Sequence, residues 1–381
     1  MENAMSVAGI IFSNIHDNNI AELTRNRATA SVPFGCRYRL IDFTLSNMVN
    51  SDISNIFVIT HFNYQSLMDH LGSGKDWDLA RRRGGIKILP PFITAYANGA
   101  NALYTTRLEA LKSVSQAISH IADEYVVLSD CDVICNFDLK EMIRDHIKNG
   151  ADITIATKTA YLNRTNARKN TLVRADETGR IRDILAYPAD FSGEGEISLN
   201  IMVMRTELLK TIVTDAIAHG YVSFNRDVLM HRLAYDNIRT YHFDGFYASI
   251  NSLEEYYQHH MDLLHCPQIH DGLFRVPNRP VYTKVRNSAP TYYGPNATVT
   301  GSLIADGCVI HGTVENSILF RGVKIGENAV VRNSILFQDT VTGDNVSLNC
   351  VITDKNVVIR DSAVLSGHPT MPFYIAKGKM V

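Results

Sequence analysis

The apolar run "EYVVLSDCD" (124–132) ends in two carboxylates, Asp130 and Asp132. On an extended chain, residues i and i+2 project to the same face. The pair could therefore act together, and one or two carboxylates beside substrate phosphates are the usual protein contribution to a Mg²⁺ site. A second group is cationic. Arg25, Arg27, Arg37 and Arg39 lie close together, with Arg81 to Arg83 of "ARRRGG" downstream. Guanidinium forks suit phosphate oxygens, although ordinary surface arginines would give the same pattern. His311 and His368 are the C-terminal histidines that could serve an acyl transfer, but no acyl-carrier site accompanies them. Cys131 and Cys135 lack a second Cys/His pair at zinc spacing. The six scattered cysteines read as reduced thiols and not as a disulfide frame.

These residues need elements to position them. "SVAGIIFS", "NIFVIT" (55–60), "EYVVLSD" and "ADITIAT" (151–157) read as buried strands. Between them, 101–121 and 138–150 read as helices. Such alternation predicts a doubly wound, mostly parallel α/β sheet. Ligands of such sheets bind beyond the carboxyl ends of the strands, which is where Asp130 and Asp132 fall. The texture changes at residue 266, where a segment with five prolines reads as a surface linker. A repeat then begins: "GSLIA" at Gly301, "NSILF" at Asn316 and Asn333, and "NCVIT" at Asn349, offset by 15, 17 and 16 residues. Aliphatic residues recur about every sixth position with Gly, Asp or Asn at the corners, the hexapeptide pattern of a left-handed parallel β-helix. The expected organisation is a nucleotidyltransferase-like, Rossmann-like domain over 1–265, a linker over 266–290 and a β-helix over 291–381.

A net charge of −2 gives no global attraction to nucleic acid or an anionic membrane. No apolar run approaches the roughly 20 residues of a membrane span, and the N-terminal segment lacks the basic region of a signal peptide. A cytoplasmic protein is expected, and Trp77 is expected to be a packing residue.

The segment "RATASVPFGCRYRLIDFTLSNMVNSDISNIFVIT" (27–60) resembles the ADP-glucose pyrophosphorylases, also called glucose-1-phosphate adenylyltransferases, which carry a run like R-A-K-P-A-V-P-F-G-G-K-Y-R-L-I-D-F. "SLMDHLGSGKDWDL" (66–79), "ANALY" (100–104) and "MDLL" (261–264) extend the resemblance over nearly the whole chain. It implies the same two-domain architecture and a glycogen-pathway context. The family's reaction joins ATP and glucose 1-phosphate with release of pyrophosphate, so its site must neutralise two anions.

The devices that do this in the family are altered here. The phosphate loop L-x-G-G-x-G-x-R-L falls on "FSNIHDNNI", with Asn14, Ile15 and Asp17 at the glycines and Asn19 at the arginine. An isoleucine blocks the backbone approach that glycine permits, and an aspartate repels a triphosphate. The lysine of R-A-K-P is Thr29. In S-G-D-H, Asp132 keeps the carboxylate, but the second metal ligand is Ser249 in "YASINS". The lysine of E-K-P is Tyr187. In D-F-G-K-D, Ser223 replaces the first Asp, while Arg226 and Asp227 remain as Arg and Asp.

Removing one preorganised stabiliser commonly costs roughly 10²–10³ in rate. The resemblance is therefore to the non-catalytic, regulatory GlgD-type branch of the family. It implies negligible activity alone, a vestigial Asp132, and no bound metal, with Mg²⁺ expected only on a catalytic partner subunit. The expected assembly is a hetero-oligomer, in the form of a heterotetramer. In the family, basic residues near Arg25, Arg27, Arg37 and Arg39 help bind a phosphorylated effector. Three alternatives stay open on the residues alone. One is a divergent but active sugar nucleotidyltransferase using another base or sugar, and a rearranged site in which Asp130 substitutes as ligand is also open. Another is a metabolite sensor without turnover. The third concerns "DNNIAELTRNR", which could be a solvated loop or a loop reshaped to touch a partner.

Overall fold

The computed structural model describes residues 6–90 and 104–381. Most of the "ANALY" match therefore lies outside the described residues. The N-terminal domain is built on one twisted sheet. Its strands run in the order Ile238–His242, Ile153–Leu162, Gly193–Arg205, Tyr125–Asp130, Val7–Phe12, Asn55–Ile59 and Gly85–Leu89. All neighbours are parallel except those of Gly193–Arg205. The central strands are buried on both faces and mostly apolar, with Ser129 and Asp130 the polar end of Tyr125–Asp130. The register aligns Phe12 with both Ile59 and Asp130, so three strands end at one level. The chain leaving each of them lines the same crevice.

The helix expected over 101–121 is, in its described part, two short helices, Arg107–Ser113 and Ser115–Ser119. Val114 interrupts them with φ −113° and ψ 21°, while its side chain stays in the core. The second expected helix forms over Leu139–Lys148, capped by Asp138, whose carboxylate accepts from the backbone N–H groups of Lys140 and Glu141. Trp77 is buried and packs edge-on against His70.

The segment 266–290, expected to be a linker, is not irregular throughout. It opens with a helix, Pro267–Phe274, with proline at the first turn, where its missing N–H costs nothing. Leu273 is buried among the side chains that join the two domains. From Tyr292 the chain winds into three parallel five-stranded sheets, the walls of a left-handed β-helix. One detail of the repeat shifts. Ile335 pairs with Ile352, and Arg332 with Asn349, so the last offset is 17 residues. Cys350, with φ 53°, thus occupies the left-handed corner held by Asn316 and Asn333 in earlier coils.

The two domains share one apolar core. Phe34, Phe43, Tyr256 and Tyr257 from the first pack with Ile318, Phe320, Ile335 and Phe337 from the second. Polar contacts cross the same boundary: Tyr257 Oη donates to the Asn333 carbonyl at 2.7 Å, and Cys36 Sγ to that of Leu319 at 3.5 Å. Cys36 stands where the family run has its second glycine and retains the left-handed backbone, at φ 77°.

Candidate functional site

The crevice beyond the strand ends is occupied by the chain's own side chains. Residues 17–24 do not form a solvated loop. Asp17–Ile20 is a 3₁₀ turn and Ala21–Thr24 a helical turn, anchored by buried Ile20 and Leu23. Thr24 Oγ1 donates to the Asp17 carbonyl at 2.6 Å. The Asp17 carboxylate accepts from Thr29 twice, from its N–H at 2.7 Å and from its hydroxyl at 2.6 Å. Two positions where the family would meet phosphate, a loop glycine and a lysine, thus satisfy each other. Burial pushes the Asp17 carboxyl up to about 6, against the two bonds from Thr29 that favour its charge.

A second chain of contacts links two further altered positions. Asn19 donates to the side-chain oxygen of Asn251 at 3.3 Å, and Asn251 donates to Ser249 Oγ at 3.1 Å. Asn14 accepts from the Tyr104 hydroxyl at 3.1 Å. Tyr187 adopts a left-handed backbone at φ 55°, and its N–H bonds the Asn170 carbonyl. Ser223 caps the following helical turn by accepting from the Arg226 N–H at 3.2 Å. Asp227 accepts from the backbone N–H groups of Val222 and Ser223, both at 2.8 Å, which lowers its carboxyl below the ordinary value. The charged residues surviving in that motif are therefore an exposed Arg226 and a carboxylate committed to the backbone.

Asp130 and Asp132 do meet, and the structure brings His16 to them. One ligand atom from each lies within 4.8 Å of the others. Arg107, unremarked in the sequence, enters the same cluster. Its Nε donates to Asp130 Oδ1 at 2.7 Å, and its Nη2 pairs with Oδ2. A capping box fixes the start of the Arg107 helix: Glu109 N–H donates to Thr106 Oγ1 at 3.2 Å, and the Glu109 carboxylate accepts from the Thr106 N–H at 3.1 Å. Burial alone would raise the Asp130 carboxyl, but Arg107 outweighs it and holds the group well below the carboxylate range. His16 Nε2 lies 3.1 Å from Asp130 Oδ2 and 3.4 Å from Arg107 Nη2. One nitrogen cannot both donate and accept. Burial opposes charge on His16, yet Asp132 and Asp130 together raise its pKa, so Nε2 donates to Asp130. Burial first, and Asp130 beside it, raise the Asp132 carboxyl.

These residues do not fit a Mg²⁺ centre. Of the two carboxylates in this cluster, Asp130 is salt-bridged to Arg107 and Asp132 alone is left to a metal, while Ser249 is neutral. The cavity lined by His16, Asp132, Tyr187, Tyr247, Ser249 and Asn251 measures about 20 Å³. That is room for roughly one water. Lys169, also at its wall, is paired with Glu255 at 2.6 Å.

The four arginines divide. Arg25 and Arg37 are exposed, as are Arg81 to Arg83. Arg27 and Arg39 are buried. Arg27 Nη2 donates to Asp354 of the β-helix at 2.6 Å, with both side chains 3% exposed. Its Nη1 has no partner among the described residues. Arg39 Nη1 bonds the Ser66 carbonyl at 2.5 Å and the Ser66 hydroxyl at 3.1 Å. Burial, followed by the repulsion of Arg39 and Arg27, pushes the ammonium of Lys355 down to about 7. His16, Arg107 and Lys355 were not legible as site residues. The only trace of His16 was its place in the altered loop.

Comparison with known proteins identifies the family. Residues 18–264 match the nucleotidyl transferase family model, and 290–370 match the GlmU-like C-terminal hexapeptide model. The chain is 35% identical to the glycogen biosynthesis protein GlgD of Bacillus subtilis over 97% of its own length and 95% of that protein. It is 36% identical to GlgD of Geobacillus stearothermophilus, over 85% and 82%. A glucose-1-phosphate adenylyltransferase of Halalkalibacterium halodurans is 32% identical, over 85% and 84%. The chain belongs to the nucleotidyl transferase family, within the ADP-glucose pyrophosphorylase group that includes the GlgD-type proteins.

Proposed function

We propose that this chain is a regulatory, catalytically degenerate subunit of a glucose-1-phosphate adenylyltransferase, acting in glycogen biosynthesis beside a catalytic paralogue. One observation carries the reading: the positions that would face substrate are bonded to one another. Asp17 holds Thr29, Asn19 reaches Ser249 through Asn251, and Arg107 neutralises Asp130. The resemblance to proteins named for glycogen biosynthesis and for the adenylyltransferase supplies the pathway. No helix among the described residues is long and apolar enough to cross a membrane, which accords with a cytoplasmic setting.

The regulatory reading includes an anionic effector at the domain boundary. Arg27 keeps a nitrogen without a partner among the described residues there, and Arg39, Arg286 and Lys355 lie near it, opposed by Asp354 and, beside Arg39, by Asp42 and Asp69. A phosphate would relieve that repulsion.

The test is to assay ADP-glucose formation from ATP, glucose 1-phosphate and Mg²⁺ with this chain alone, then with the catalytic paralogue. Alone, activity stays at background. Together, the maximal rate or substrate affinity changes and a larger assembly elutes on sizing. Turnover near the roughly 10 s⁻¹ typical of enzymes from the isolated chain, or no effect on mixing, refutes the proposal.

A further inference from the structure

We infer that Arg107 is a resident replacement for the divalent cation of the family's reaction, so that the metal centre has become an internal ion pair. The inference deepens the degenerate-site reading but rests on its own geometry. The Arg107 guanidinium grips both oxygens of Asp130, at side-chain exposures of 12% and 1%. Asp130 stands where the S-G-D-H pattern has serine, so the added anion is matched by this cation. His16 completes the cluster from the segment that replaces the phosphate loop, and Asp132 lies within 4.8 Å.

A guanidinium stays charged at every physiological pH. It therefore supplies fixed positive charge where a metal would bring exchangeable charge. The same pair joins three pieces of chain: the end of the Tyr125–Asp130 strand, the start of the Arg107 helix and, through His16, the altered loop. In an active relative, metal and nucleotide would draw such pieces together. Here side chains of the chain itself join them, and one of the two carboxylates that a Mg²⁺ would meet, Asp130, is already paired.

The test is Mn²⁺ titration of the full chain, followed by the electron paramagnetic resonance of the free ion. The wild type is expected to show no saturable site up to about 1 mM, whereas Arg107→Met gains one at least about tenfold tighter. Adding Asp132→Asn to Arg107→Met removes it. Stoichiometric Mn²⁺ on the wild type that Asp132→Asn abolishes overturns the inference. So does a folded Arg107→Met that binds no better than the wild type. If Arg107→Met does not fold, Arg107→Met/Asp130→Ser removes the stranded anion and is expected to restore folding. A double variant no more stable than the single one refutes the pair. The outcome is separable from the mixing assay: a metal-free chain that leaves the paralogue unaffected refutes regulation and leaves Arg107 in this role.

Discussion

Asp17→Asn isolates what the loop closure costs and what it contributes. Asparagine keeps an oxygen for the two Thr29 bonds and removes the buried charge. The carboxyl rises from the ordinary 3.8 to about 6, so the folded chain holds a proton that the unfolded chain has released across that interval. Because the native state binds more protons there, wild-type stability falls as pH rises through the interval. At about 1.4 kcal/mol per pH unit, the charge costs about 3 kcal/mol at neutral pH and nothing well below pH 3.8. Urea unfolding of both proteins at about pH 4 and about pH 7.5 measures this directly. The stability of Asp17→Asn relative to the wild type should improve by about 2–3 kcal/mol between the two conditions. A difference that stays constant, or a variant weaker at pH 7.5, would show that the ionised carboxylate stabilises the loop, and the account of Asp17 would fail.

Other perturbations follow from the same contacts. Arg27→Met strands Asp354 between the domains and should cost about 3–5 kcal/mol. Arg27→Met/Asp354→Leu should recover part of that in chemical denaturation, the rest being lost with the Lys355 and Tyr374 bonds to Asp354. Lys355, depressed to about 7 from 10.5, makes the folded chain bind fewer protons than the unfolded one between those values, so stability rises with pH across that range. Melting curves with inorganic phosphate should flatten that rise by stabilising the charged ammonium. Ser249→Asp restores the family's second carboxylate, yet ADP-glucose synthesis should stay at background because the loop, the lysine positions and the Asp130–Arg107 pair are unchanged.

The β-helix was legible because each coil repeats one local rule, aliphatic in and small or polar at the corner. The residual error, a one-residue slip at Asn349, arose because Cys350 adopts a conformation usually given to Asn or Gly. The departures from the family's pattern could be counted from sequence, since each concerned one position. What the departing residues bond to could not. Arg107 reaches Asp130 across 23 residues, and His16 does so across 114. The four arginines form a cluster on paper, but burial separates Arg27 and Arg39 from Arg25 and Arg37: Arg27 is covered against Asp354 of the β-helix and Arg39 is held at Ser66 of the first domain.

The core shared by Phe34 and Phe43 with Phe320 and Phe337 sets a timetable for synthesis. The N-terminal part of that core leaves the ribosome about 300 residues before the coils that cover it. At roughly 5–20 residues per second, it waits about 15–60 s with aromatic surface uncovered. Until then Arg27 also lacks Asp354. Completion of the solenoid, not of the sheet, therefore marks the moment when this aromatic surface is covered.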